Sequence, residues 1–557
     1  RATQAAPAPA APGDLLETPR GRWVWLALFL VLFPLYLTCA SNEFGGGLGG
    51  DNVVYFLLGK ALATGQGYVD LYLPGNPPHA KYPPGLPLLL APFHRLFDLP
   101  LLPMHVMLIA FNALAVVMAG MVAAKVSRSR RAGLAVSLLF GLGSRMYLQN
   151  LHILSEPPYM FFCYLTLLLL PLKKNESVST VRAVGIGLAA TAAFFTRTMG
   201  VAVVAAAGAG LTLAGATVTA RGRRLPAAVP ALLVFGAFLL AWIIRNRLAH
   251  AGGGYLDELL FIDPYRPDLG FIGPAEYLSR FWNRTTYYFE QIAIYIFSDL
   301  PAGPSALKAM GMMGKPIPWL VLAGFLISLI SRREERPVAF FCAATVFIVF
   351  SWSFLDPRFL IPVWPFFFFY LLTTLHAVGL LICRRRPWLL PAVATGLIVF
   401  FAAVQLPGHV RLRFLDLTQP VHPVAVKGLP RPFDEPLINY AKYESALSVA
   451  QQPEVVPQRI NFLIINRVAA SLTPPGSIIL SRKPMYTYLL SGRKSVPFIF
   501  TEDPEKQWQN LERNRVDYVV TGVGEEALGP TLKKWPERFD LVAELENSAY
   551  LIKVKRQ

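Results

Sequence analysis

Charge is scarce in this sequence. Asp, Glu, Lys and Arg make up 15% of the 557 residues, where a soluble globular chain carries about a quarter. Apolar types fill 54%. That balance argues against a soluble protein and for a membrane-embedded one. Acids are scarcer than bases, 34 against 52, which leaves a net charge of +18. The bases lie in short clusters between apolar runs, as in the positive-inside pattern, so nucleic acid is not the expected partner. Cysteine is rare as well. Cys39, Cys163, Cys342 and Cys383 are scattered and form no CxxC pair, so neither a disulfide framework nor a zinc site is suggested. No GxGxxG or Walker loop occurs, and no nucleotide or other cofactor is assigned. The Ala/Pro-rich first 20 residues read as a disordered tail. The apolar run from Trp23 has no clear cleavage site and reads as a span, not a signal peptide.

About eleven apolar stretches are of spanning length: 22–40, 102–124, 132–149, 156–172, 183–197, 199–218, 227–248, 317–331, 337–354, 359–381 and 388–405. Every second junction is basic. The clusters are Arg20 and Arg22; Lys125, Arg128, Arg130 and Arg131; Lys173, Lys174 and Arg182; Arg221, Arg223 and Arg224; Arg332, Arg333 and Arg336; and Arg384, Arg385 and Arg386. This pattern places the N-terminus in the cytoplasm and the C-terminus outside. The expected fold is mainly α: a polytopic membrane helix bundle over 22–405, after a tail at 1–21. It carries a first outer loop at 41–101 and a long outer loop at 249–316. Residues 406–557 have the composition of a soluble domain. Strands are expected at Ser477–Ser481, Ser495–Phe500, Val516–Gly522, Asp540–Glu544 and Tyr550–Lys555. Helices are expected at Lys483–Ser491, Asp503–Asn514 and Glu525–Lys534. The alternation predicts a small α/β domain with a partly parallel sheet.

The first outer loop organises the rest. A Gly-rich run leads to Asp51, and an amphipathic segment follows from Asn52 to Ala63. Val54, Leu57, Leu58, Ala61 and Leu62 fall on one face of it, as in a helix lying on a membrane surface. Lys81 and Tyr82 stand directly before the rigid turn Pro83-Pro84-Gly85. On charge alone, Asp51 would read as a solvated loop acid. Its place between a flexible turn and this segment favours chemistry.

The order of an acid, an aromatic helix, Gly65-x-Gly67-Tyr68 and Lys81-Tyr82-Pro83-Pro84-Gly85 resembles the GT-C glycosyltransferases. Among these it is similar to bacterial protein-mannosyltransferase-like and lipid A aminoarabinose transferase-like enzymes. The segments Leu154-Ser155-Glu156-Pro157, Thr196-Arg197-x-x-Gly200, Asp356-Pro357-Arg358-Phe359 and Ser491-Gly492-Arg493 extend the resemblance over most of the chain. It implies a membrane transferase that draws on a polyprenyl-phosphate sugar, with a lipid, glycan or protein hydroxyl as acceptor. It also implies the outer face of a bacterial inner membrane as the working side. Asp51 matches the position of the catalytic base. Many relatives carry two adjacent acids there, but Asn52 follows Asp51 here, so no metal is expected.

The chemistry agrees with the residue types. A sugar on a lipid phosphate has a good leaving group, so the reaction needs a base for the acceptor hydroxyl and cations for the departing phosphate. A single carboxylate suffices for displacement with inversion. The phosphate-binding candidates are Lys81, Tyr82, Arg197 and Arg358. Each has a plainer reading: snorkelling for Lys81, an aromatic belt for Tyr82, and structural ion pairs for the arginines. His152 and Glu156 are read as acceptor-side or supporting residues. The rival readings are a flippase or transporter of lipid-linked sugars and a non-catalytic envelope scaffold. A transporter should show an internal repeat and mid-membrane charges, and neither is evident.

Overall fold

The computed structural model describes residues 19–556 except 41–49, 98–99, 144–145, 147–148, 221–222, 251–254, 298–314, 383–394, 397–398, 400–424, 432–454, 502, 523–527 and 546–547. The chain opens with α1 (Pro19–Leu37), α2 (Asp51–Ala63) and α3 (Gly85–Leu96). It continues with α4 (Leu101–Ser127), α5 (Arg130–Gly141), α6 (Glu156–Leu169), α7 (Thr180–Thr196) and α8 (Val201–Leu213). A hairpin of β1 (Thr217–Ala220) and β2 (Arg223–Pro226) precedes α9 (Ala228–Leu248). After it come α10 (Tyr255–Leu260), α11 (Pro274–Phe297), α12 (Pro316–Ser331), α13 (Arg336–Ser351) and α14 (Trp364–Ile382).

Every apolar stretch but the last overlaps a helix, though that of 132–149 ends at Gly141; 388–405 lies largely outside the described residues. Among the described residues, three helical units are long and apolar enough to cross a membrane: Leu101–Ser127, Ala228–Leu248 and Pro357–Gly379. The pair α12 and α13 makes a fourth only when taken together across its 113° bend. Two features differ from the sequence reading. The long outer loop holds a full helix, α11, between its Gly- and Pro-rich flanks. The basic turn after α8 folds into the β1–β2 hairpin.

Three of the basic junctions, those holding Lys125 and Arg128, Arg182, and Arg332 to Arg336, meet at one end of the bundle. Lys125 Nζ donates to the Leu168 and Leu170 carbonyls, both at 2.6 Å. Arg182 reaches Glu176 at 2.7 Å, and Arg128 reaches Glu334 at 2.8 Å. Helices α6, α7 and α8 run between that end and the other, where Glu156, Arg197 and Gly200 stand at their termini.

The C-terminal part begins with α15 (Val455–Leu472), then β3 (Ile478–Ser481), α16 (Pro484–Ser491), β4 (Lys494–Pro497) and α17 (Pro504–Arg513). It ends with β5 (Tyr518–Val520), α18 (Gly529–Lys534), β6 (Phe539–Leu545) and β7 (Ala549–Val554). The sheet order is β4-β3-β5-β7-β6. Strand β3 runs parallel to β4 and β5, and β7 runs antiparallel to β5 and β6. Side chains alternate between two cores with the period of the pleat. Ile479, Tyr518, Val520 and Leu551 face the side of α15. Leu480, Val519 and Ile552 face the side of Trp508 on α17.

The α15-side core does not stop at the domain. It takes in Phe462, Ile465 and Val468 together with Val53, Tyr55, Phe56 and Leu57 of α2 and Leu86 and Leu90 of α3. The sequence reading of α2 as a helix lying on a membrane surface is therefore corrected. Residues 52–59 and Ala61 are buried, because the face carrying Val53, Tyr55 and Phe56 is covered as fully as the other.

Candidate active site

Asp51 is the first residue of α2. Gly50 before it has φ +93°, a left-handed backbone that an L side chain adopts only with strain. The Val54 N–H closes the first turn on the Gly50 carbonyl at 3.0 Å. A carboxylate here also faces the positive end of the helix dipole. The C-terminal part holds the same turn from outside. Tyr486 on α16 is buried and donates its hydroxyl to Asn52 Oδ1 at 3.3 Å, and Asn52 is itself 3% exposed.

Two partners fix the Asp51 carboxylate. Tyr82 donates to Oδ1 at 2.9 Å, and Arg358 Nη2 lies 3.1 Å from Oδ2. Tyr82 is placed from behind. Its backbone N–H donates to His79 Nε2 at 2.8 Å, which puts the ring proton on Nδ1, and that nitrogen meets Asp70 Oδ1 at 2.8 Å. After Tyr82 the chain turns through Pro83 and Pro84 into α3. A Cβ on Gly85 would strike the Phe195 carbonyl and the Thr196 nitrogen, so only glycine fits this approach to α7.

Arg358 sits in a short 3-10 helix, Pro357–Val363, capped by Asp356, whose Oδ1 accepts from the Arg358 N–H at 2.8 Å. The Arg358 Nε lies 3.2 Å from Asp356 Oδ2 and 3.3 Å from Glu156 Oε1. Glu156 opens α6 and is 1% exposed. Its Oε1 also pairs with Arg197 Nη1 at 2.7 Å. Arg197 donates to Ser155 Oγ at 3.2 Å, and Tyr55 on α2 donates to the same oxygen at 3.2 Å. Both guanidinium groups face the Phe359 ring, at 5.4 Å for Arg197 and 5.5 Å for Arg358. A buried carboxylate needs such pairing, since one desolvated alone would neutralise.

Burial by itself would raise the Asp51 carboxyl. The charge of Arg358, the Tyr82 hydrogen bond, and the charges of Lys81 and Arg197 outweigh it, and the carboxyl is held below the usual carboxylate range. Burial and the neighbouring Asp51 charge push the Tyr82 phenol well above its usual range, so it remains a donor. Asp51 is thus an ionised acceptor held in place by a neutral donor and a cation.

Of the residues singled out in the sequence, Asp51, Tyr82, Glu156, Arg197 and Arg358 meet in one network. Lys81 stands beside it. Its Nζ is 5.5 Å from the Tyr82 ring centre and pairs with Glu258 on α10 at 2.6 Å. His152 lies on the turn that leads to Ser155. The sequence reading missed Tyr55, Asp70, His79 and Glu258, and Tyr255, whose ring centre lies 6.1 Å from that of Tyr82. His79 stood in plain view two places before Lys81. Glu258 carried no signal among the acids of a long loop. Among the described residues, no group of three or more His, Cys, Asp or Glu side chains is arranged to hold a metal.

No protein-family model matches the chain, and no curated protein sequence matches it. Solved structures do. The archaeal oligosaccharyltransferase AglB from Archaeoglobus fulgidus, in complex with an inhibitory peptide and a dolichol-phosphate, superposes with a TM-score of 0.52 at 12% identity. That match covers 90% of this chain and 70% of AglB. ArnT from Cupriavidus metallidurans, bound to undecaprenyl phosphate, gives a TM-score of 0.49 at 12% identity, over 96% of this chain and 98% of ArnT. The fold is GT-C-like: a membrane helix bundle with a C-terminal α/β domain.

Proposed function

We propose that this chain is a glycosyltransferase that moves a sugar from a polyprenyl-phosphate donor to an acceptor hydroxyl, with inversion, at Asp51. The observation that carries this reading is the Asp51 carboxylate itself. It is ionised, fixed by Tyr82 and Arg358, and set among the cations Arg358, Arg197 and Lys81. The acceptor O–H gives its proton to an Asp51 oxygen. The acceptor oxygen then bonds to the anomeric carbon as the bond from that carbon to the phosphate oxygen breaks. The electron pair leaves with the polyprenyl phosphate, whose added negative charge the cations stabilise. The likeness to AglB, a protein whose structure holds dolichol-phosphate, supports a lipid-phosphate donor. The test is to incubate the purified chain with a panel of polyprenyl-phosphate sugars and follow release of free polyprenyl phosphate. No release from any donor would overturn the reading.

The cations are already engaged, so the donor phosphate must compete for them. Lys81 is the most exposed of them, its side chain 37% accessible against 22% for Arg358 and 15% for Arg197, and its one carboxylate partner is Glu258. A cation that contacts the leaving group acts most strongly in the transition state. Lys81→Gln is expected to lower kcat by at least about 10-fold, or about 1.4 kcal/mol, and Lys81→Arg by less. Near-parental turnover of Lys81→Gln at saturating donor would return Lys81 to a snorkelling role.

We place the site on the outer face of a bacterial inner membrane, a reading supported by the three described basic junctions that lie at the end of the bundle away from Asp51. Reporter fusions inserted at Ser177 and at Lys533 are expected to report opposite sides. A shared side would overturn this orientation.

A further inference from the structure

A series of aromatic rings leads away from Asp51 toward the C-terminal domain. Tyr82 lies 6.1 Å from Tyr255, centre to centre, and Tyr255 lies 5.6 Å from Trp352. Trp352 is 6.4 Å from Phe354, which is 5.5 Å from Tyr265. Tyr265 is 5.3 Å from Phe500, just past β4, and the Arg482 guanidinium lies 5.0 Å from the Phe500 ring centre. The rings come from four separate parts of the chain. They are not core: Phe366, Phe369 and Tyr370 inside the bundle are fully buried, whereas every ring of the series keeps part of its surface and Tyr265 is 53% exposed.

The direction of the series selects its occupant. The donor's isoprenoid belongs to the bilayer, but these rings end on the soluble domain and a guanidinium. A ligand following them to Asp51 therefore arrives from the aqueous side, as an acceptor must. A pyranose suits such a path. Its C–H face packs on the negative face of an aromatic ring, while its equatorial hydroxyls stay free for polar neighbours. An extended peptide that bound by adding a strand would need an open sheet edge to pair with. On the edge strand β4, however, the Ser495 N–H already donates to the Tyr72 carbonyl at 2.8 Å.

We infer that the acceptor is a saccharide chain bound along the rings from Tyr82 to Phe500, with Arg482 at the end remote from the reacting hydroxyl. This rests on the transferase reading and names the acceptor class for it. Successive sugar units add ring contacts, so affinity rises with chain length until the series is filled.

The experiment is calorimetric titration of the 557-residue chain in nanodiscs, without donor. The probes are linear glucose, mannose and N-acetylglucosamine oligomers from monosaccharide to hexasaccharide, with an extended peptide of similar length beside them. Affinity is expected to climb with length for at least one saccharide series. Tyr265→Ala and Phe500→Ala are expected to flatten that climb and weaken hexasaccharide binding by about 10-fold. Phe271→Ala removes a ring of the same outer segment that stacks on Phe261 and lies off the series, so the climb should persist. Binding without length dependence, capture of the peptide in place of the saccharides, or parental binding by both variants would each overturn the inference. Because no donor is present, the outcome is independent of polyprenyl phosphate release. Length-dependent binding alongside failed transfer would overturn the transferase reading and leave the binding path standing.

Discussion

Asp51→Asn is expected to reduce transfer by about 10²–10⁴-fold while the protein folds and binds donor as before. The amide keeps the shape of the carboxylate and can still accept from Tyr82, but it cannot take up the acceptor's proton. It also gives up its charge opposite Arg358, an ion pair now at 3.1 Å. The freed guanidinium retains Glu156 and Asp356, so the fold around it holds. Turnover and donor affinity should be measured on the same preparation. Turnover within a few-fold of the parent would remove Asp51 from the chemistry. Lost donor binding with an intact fold would assign it to the donor site instead.

The second large effect belongs to Arg358. Arg358→Met is expected to lower kcat by about 10²–10³-fold, in the range seen when one preorganised electrostatic donor is removed. It should also move the acid limb of the pH profile of kcat/KM upward. The direction follows from the competing influences on Asp51: burial raises its pKa, and Arg358 is the largest of those that lower it. In the parent, Asp51 is ionised at any pH above a value depressed below about 3.9, the ordinary carboxylate figure, so activity should persist into mildly acidic buffer. In the variant burial is less opposed, and activity should fall away at a higher pH. The same depression stabilises the fold above the unfolded carboxyl's pKa, and that contribution is lost as pH falls through the folded value. Arg358→Lys retains the charge without the planar fork and should keep the parental limb with a smaller loss of rate. An unmoved limb together with near-parental kcat in Arg358→Met would reduce Arg358 to a packing ion pair.

Several elements were legible because their signals are local. The strands around Ile479, Val496, Val519 and Ile552 alternate between two faces, and the structure places strands within a residue or two of the expected ones, except that β4 ends at Pro497, three residues short of the expected Phe500. The acids and cations of the site were legible as candidates, but their meeting was not. Arg358 and Asp51 lie 307 positions apart, and no spacing rule joins such residues. The misreading of α2 has a different source. Residues 53–58 are apolar all round, and only the stripe through Val54, Leu57 and Leu58 was weighed. The second face signals burial on two sides. The long outer loop misled through its flanks, whose glycines and prolines masked the helix Pro274–Phe297 between them.

The shared core beneath α2 bears on when the site comes into existence during biosynthesis. Tyr486 and Asn52 touch across 434 positions of chain. Phe56 and Leu57 pack in one cluster with Phe462 and Ile465, residues made long after them. A chain emerging from the ribosome presents its N-terminal elements first. The nascent chain therefore carries Asp51 early, on a helix whose outer face has no partner until α15 and α16 have been made and packed against it. Until then the apolar face of α2 is a target for holdase chaperones, and the carboxylate lacks the framework that aims it. Docking of the last segment is thus the event that completes the site.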